Sequence, residues 1–260
     1  MRATPFLLAA AAFVFAGRAG ADTPAPDAGS PPRAGAAHSE QLSLLDRPHT
    51  IAQLELGILT LPDAPLSPSN RGGQTPILGT VGSGDATVQT GVHLIYRATR
   101  DWAFGARALF APRPTSDPTC ENCAGANHLS RAHSRSYLFL GGEARYVALR
   151  SRVFEGWLGL TAGAIIIADR FTNNDAPQVP SVLGTNAVTV STEGFALGIQ
   201  AGADYLVTDQ FVIGLALAAD QWILPFSPET SCDPIRDCPT LSGSVRAFEG
   251  GLTIGYRIPL

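Results

Sequence analysis

Residues 193–222 read EGFALGIQAGADYLVTDQFVIGLALAADQW, two runs of alternating residues folded back on each other. In the first run Phe195, Leu197, Ile199, Ala201, Ala203 and Tyr205 share one parity, and Ala196, Gly198, Gln200, Gly202, Asp204 and Leu206 share the other. A period of two describes a strand with one apolar face and one small or polar face. After Val207-Thr208-Asp209 the pattern restarts, with Phe211, Ile213, Leu215, Leu217 and Ala219 against Val212, Gly214, Ala216, Ala218 and Asp220. Tyr205 and Phe211 both fall on the apolar face beside the turn. Rings collected at one end of a long apolar hairpin mark a lipid–headgroup boundary in a membrane barrel.

Working outward, six more runs repeat this alternation, at about 51–61, 87–98, 102–111, 134–149, 152–168 and 244–258, making eight in all. Turns of a few residues follow the second, fourth and sixth runs. Longer connections, roughly 62–86, 112–133, 169–190 and 224–241, follow the others. Short turns at one end and long loops at the other are the rhythm of an outer-membrane barrel. The fold expected is all-β, a closed eight-stranded antiparallel up-and-down transmembrane barrel. Closure is required, because an open sheet edge in lipid leaves backbone amides without partners.

The two parities carry different chemistry. Tyr96, Trp102, Phe104, Tyr146, Phe154, Tyr205, Phe211 and Tyr256 lie on the apolar parity near short turns or the C-terminus, as a lower aromatic girdle. The opposite parity holds Gln53, Glu55, His93, Arg97, Arg107, Glu143, Arg145, Glu155, Gln200, Asp204, Asp220, Glu249 and Arg257. An Arg facing lipid near the midplane costs roughly 2–4 kcal/mol, so the shared parity places these groups inside, where acids and bases pair. Trp157 also faces inward and fills volume. Glycines on the same parity leave room for long side chains, and an eight-stranded bore is just wide enough for side chains to fill. A continuous water path along the inward carboxylates and arginines would instead make a narrow channel for small solutes.

The N-terminus supplies an address. Arg2 precedes an apolar stretch at 5–16, and Arg18-Ala19-Gly20-Ala21 resembles a signal-peptidase site, so 1–21 reads as a signal peptide. The stretch is too short for a transmembrane helix. Removing it leaves 16 basic and 22 acidic residues. Residues 22–50, with Pro24, Pro26, Pro31 and Pro32, read as a flexible periplasmic arm, and 51–260 as the barrel. Charged residues are only 15% of the chain and its formal net charge is -4, without the basic excess that a nucleic-acid partner calls for.

The architecture over 51–260 resembles the small eight-stranded outer-membrane barrels of Gram-negative bacteria, the group containing the membrane domain of outer membrane protein A and its porin-like relatives. That resemblance implies a place in the outer membrane, contact with its lipids and lipopolysaccharide, assembly by the barrel-assembly machinery, and long loops able to meet an extracellular ligand. Members commonly end in an alternating strand with a terminal aromatic residue. Here Gly255-Tyr256-Arg257-Ile258-Pro259-Leu260 keeps the alternation, while Pro259 and Leu260 depart from the pattern.

Chemistry is sparse. Cys120, Cys123, Cys232 and Cys238 all fall in long loops on one side of the membrane. In an oxidising compartment they are expected as disulfides; local pairs 120–123 and 232–238 are favoured over a cross-loop arrangement, which stays open. Cys-x-x-Cys also suits zinc, with His128 and His133 the nearest further ligands. His128-Leu129-Ser130 is superficially similar to the His-x-Ser pair of barrel acyl hydrolases that trim lipid A. Hydrolysis would need His128 to activate Ser130 and a carboxylate to orient it. The sequence names no such acid, so no catalytic, cofactor or metal residue is assigned. The reading is a structural or surface-interaction protein of the bacterial envelope without enzymatic activity; the alternatives are a small-solute channel and a lipid-A acyl hydrolase.

Overall fold

A computed structural model of the chain describes residues 48–67, 81, 86–115, 131–173, 187–226 and 239–259. Within them eight strands run β1 His49–Thr60, β2 Ala86–Arg97, β3 Trp102–Thr115, β4 Arg131–Arg150, β5 Phe154–Asn173, β6 Ala187–Leu206, β7 Phe211–Ile223 and β8 Ser244–Pro259. Each pairs antiparallel with its sequence neighbours, and β1 pairs with β8, so the sheet closes on itself. The register joins Leu54 to both Val92 and Ile254, which locks the apolar parity of three strands onto one surface.

That surface faces outward. Leu54, Leu94, Leu160, Ile199, Leu252 and Ile254 are all exposed, whereas the thirteen polar residues assigned to the bore from their parity are all buried. Outward apolar runs cover 88–96 in β2, 102–110 in β3, 211–219 in β7 and 248–256 in β8. These match the roughly 9–11 residues that cross the hydrocarbon layer on a tilt. The eight rings of the lower girdle all point outward, and Phe110, Phe195 and Phe248 ring the upper boundary. Immediately beyond it the outward positions turn polar, at Ser134, Arg170, Glu193 and Arg246.

The three short turns share one device. Thr99, Ser151 and Thr208 each accept a hydrogen bond on the side-chain oxygen from the backbone N–H three residues on, at Trp102, Phe154 and Phe211, over 3.0 to 3.1 Å. The hydroxyl satisfies the first amide of the next strand where the chain reverses. In each case that strand opens with a girdle aromatic, so the turn and the membrane anchor are set by one four-residue unit.

Several boundaries differ from the sequence reading, and β3 runs on to Thr115 where 112–133 reads as a connection. The barrel begins at His49, so 49 and 50 belong to β1 and not to the preceding arm. β4, β5 and β6 also reach well past the apolar belt, each with 20 residues. Above the membrane the outer face is wet, so Ser134, Arg170, Thr189 and Ser191 occupy outward positions and the apolar-out pattern that reveals a strand in lipid fades.

If β6 crosses lipid as described, Ile199→Arg, near the middle of its outward face, destabilises the folded barrel by about 2–4 kcal/mol. Urea unfolding in phospholipid vesicles measures this, and an unchanged midpoint would contradict the placement.

Candidate functional site

On six of the eight strands the inward side chains change character with height. From the short-turn end, β4 carries Arg145 and Glu143, then Phe139 and Tyr137, then Arg135 and His133; β5 carries Glu155, Trp157 and Thr161, then Ile165 and Ile167, then Asp169 and Phe171. β1, β3, β7 and β8 repeat the first change, from Glu55 to Leu59, Arg107 to Leu109, Asp220 to Trp222, and Glu249 to Ala247. The bore is therefore stacked in tiers.

The lower tier is an ionic network centred on His93. Its Nε2 lies 2.7 Å from Glu55 Oε2 and its Nδ1 3.0 Å from Glu143 Oε1. A neutral ring has one N–H, so serving both carboxylates takes one further proton held within the cluster. Glu143 also accepts from Arg145 Nε at 3.1 Å and Gln200 Nε2 at 3.0 Å. Glu55 accepts from Gln89 Nε2 at 2.8 Å, and Arg107 donates to Glu249. Arg145 reaches Gln53 Oε1 at 3.1 Å and lies over the Trp157 ring at 4.0 Å, while the indole N–H donates to Asp204 at 2.9 Å. Nearer the mouth, Arg97 holds Glu155 through two parallel bonds of 2.9 and 2.8 Å. Arg257, buried at this end, has Nε and Nη1 without a hydrogen-bond partner among the described residues.

The network fills its space. A pocket of about 20 Å³ between Arg97, Arg145, Glu155, Trp157 and Asp204 has room for about one water. Glycine makes the fit possible: a Cβ on Gly251 would lie 2.6 Å from Glu55 Oε1, and one on Gly202 would strike the Trp157 ring.

The middle tier is an apolar plug that parity alone did not disclose. Leu59, Leu109, Phe139, Ile165, Ile167 and Trp222 meet across the bore. Two connections at the long-loop end fold in on top of them. Leu66 bridges Leu241, Ser67 N–H donates to Thr240 O at 2.7 Å, and Ser242 N–H donates to Pro65 O at 3.0 Å. Leu61 and Leu241 are both at 0% exposure. The signal was present in the sequence as the shift from charged to apolar residues on the inward parity of six strands.

Above the plug, on the extended strands, Asp169 takes His133 Nε2 at 2.7 Å and Arg135 Nε at 2.6 Å, and Phe171 stacks on the His133 ring at 4.2 Å. These contacts tie β4 to β5 beyond the membrane. His133, considered from sequence as a zinc ligand, is engaged with an acid and a ring. His128 and Ser130 of the hydrolase reading, and the four cysteines of the disulfide reading, lie outside the described residues. Among the described residues no group of three or more His, Cys, Asp or Glu side chains is arranged to hold a metal ion.

A closed barrel with a greasy outside, aromatic boundaries and a charged, filled bore has one setting that fits it. The protein is an outer-membrane β-barrel. Solved structures with a similar fold include Neisserial surface protein A, at 12% identity and TM-score 0.47, covering 81% of this chain and 97% of that one. Ail, the attachment invasion locus protein of Yersinia pestis, is 12% identical with TM-score 0.41, covering 80% and 98%. Outer membrane protein AlkL is 13% identical with TM-score 0.47, covering 93% and 97%. No family model and no curated protein matches the chain.

Replacing Glu143 by Leu strands Arg145 and His93 in the bore, and is expected to cost about 3–5 kcal/mol. Adding Arg145→Met recovers part of that loss, because the unpaired cation goes with it. Urea-gradient unfolding of both variants in vesicles checks the order.

Proposed function

We propose that this barrel is a sealed component of the bacterial envelope that works through its surfaces rather than through its bore, as a structural or surface-interaction protein. The observation that carries the reading is the tiered filling of the lumen. An ionic layer with room for about one water lies beneath an apolar layer capped by the Leu66–Leu241 bridge. The apolar tier interrupts the polar lining on six of the eight strands, and an ion entering it loses its hydration.

The outer wall contacts outer-membrane lipids along its whole apolar belt. In this reading lipopolysaccharide meets the belt's upper boundary, an extracellular ligand meets the long-loop end, and the barrel-assembly machinery inserts the closed sheet. Residues 1–21 act as the export signal and the following residues, up to β1, as a periplasmic arm. The extended β4–β5–β6 sheet supports a surface role, since it lifts polar outward positions such as Arg170 and Ser191 clear of the bilayer.

In planar bilayers the purified protein is expected to give no stepwise conductance at moderate voltage. Regular unitary steps from folded, monodisperse protein would overturn the sealed reading in favour of a small-solute channel. The export reading is checked by intact mass after expression in a Gram-negative host: a chain beginning at Asp22 is expected, and one retaining residues 1–21 in the outer membrane contradicts it.

A further inference from the structure

A second concavity lies outside the barrel wall. It occupies about 550 Å³ on the lipid side of β3 to β7, within the roughly 300–1,000 Å³ of sites that hold small molecules. Its cause is a step in side-chain size. Ala144 sits opposite Leu160, Ala219 opposite Ile199, and Ala201 opposite both Leu158 and Leu217, so small residues alternate with large ones across neighbouring strands. The alanines form a floor between higher banks, and the lining is almost wholly apolar.

The lower end of the groove indicates its occupant. It finishes at Trp102 and Tyr146, girdle rings packed 5.2 Å apart. Just beyond these rings lie the β2–β3 and β4–β5 turns, joined by a 2.8 Å bond from Val147 N–H to Asp101 O and by a bond from Arg150 to Arg100 O. These turns present exposed Arg100 and Arg152, with Asp101 exposed beside them and Glu155 buried under Arg97 and Arg150. Leu149 and Val153 on the same hairpin are exposed and apolar, which sets its tip at the acyl–headgroup boundary. The remaining short turn, between β6 and β7, carries Asp209 and no cation. The cationic part of this rim and the mouth of the groove therefore coincide. An apolar slot opening onto two arginines at headgroup depth matches a chain with an anionic head. A second copy of this barrel fits less well, because a two-fold contact through this patch brings like arginine pairs together.

We propose that the groove holds one acyl chain of an anionic phospholipid from the periplasmic leaflet, with its phosphate on Arg100 and Arg152. The proposal deepens the general lipid contact of the barrel and rests on its placement in the outer membrane.

The test is native mass spectrometry of the folded protein released from detergent, after mixing with equal amounts of phosphatidylglycerol and phosphatidylethanolamine bearing the same chains. One retained phosphatidylglycerol is expected in preference to phosphatidylethanolamine. Arg100→Gln with Arg152→Gln lowers that preference about five-fold per arginine while lipid is still retained. Ala201→Trp fills the groove and removes retention of both lipids. Heat-modifiable gel migration verifies that each variant is folded, and an unfolded Ala201→Trp is replaced by Ala219→Phe. Equal retention of the two lipids by the wild type, a preference unmoved by the arginine changes, retention unmoved by filling the groove, or dimers lost on filling it would each overturn the proposal. Failure of the wild type to partition into vesicles at all would instead remove the outer-membrane reading on which it rests.

Discussion

A backbone amide in hydrocarbon has no water to bond, and each unpaired group costs several kcal/mol. The β1–β8 pairing answers that constraint over the whole of β1 and twelve residues of β8, from His49 opposite Pro259 to Thr60 opposite Phe248. Once the sheet is closed, every strand has two fixed destinations for its side chains. The outward parity meets lipid and the inward parity meets a bore with little free volume. Apolar wall, aromatic rims, buried charges and inward glycines are all consequences of that division.

The division also explains how so many charges are accommodated inside. Six carboxylates and four arginines occupy the lower tier, and almost all of them share hydrogen bonds with one another or with neutral side chains such as Gln53, Gln89, Gln200 and Thr161. A buried ion pair is weak evidence for stability by itself, because desolvation offsets much of its attraction. Its stronger effect here is on register. A one-residue slip of any strand turns its charges into lipid and its leucines into the ionic tier, so the network and the belt penalise the same error.

The eight strands, their closure and the buried parity were legible because lipid enforces a period of two over nine or more residues. Where that enforcement ends, the reading weakened. The upper ends of β4, β5 and β6 run on past the limits read from sequence, to Arg131, Asn173 and Ala187, and lie above the belt, where Arg170 and Thr189 can face water and alternation no longer separates strand from loop. The apolar plug escaped for a different reason. Parity says that Leu59 and Ile165 point inward, but not that the inward residues of several strands change character at one height; that requires the register between strands. Leu66 and Leu241 carry no period at all, and only the folded chain shows that two connections turn back over the bore. The hydroxyl–aromatic turn unit was present three times, as Thr99 with Trp102, Ser151 with Phe154 and Thr208 with Phe211, and is recognisable once the short turns are compared with one another.

Shape argues as strongly as charge against a moving gate in the lower tier. Its large side chains are set against glycines on adjoining strands: Glu55 against Gly251, Trp157 against Gly202, and Asp204 against Gly214. A side chain that swung away would leave its glycine notch empty and enter space already occupied by a neighbour, losing hydrogen bonds at both ends. Closely packed interiors resist such partial rearrangement and change between whole arrangements or not at all. On six strands the tier above meets an ion with apolar side chains, and the polar groups beside it, Thr192 and Thr240, are bonded to each other. In the sealed reading the barrel therefore works where its wall meets lipid, and not by moving side chains within the bore.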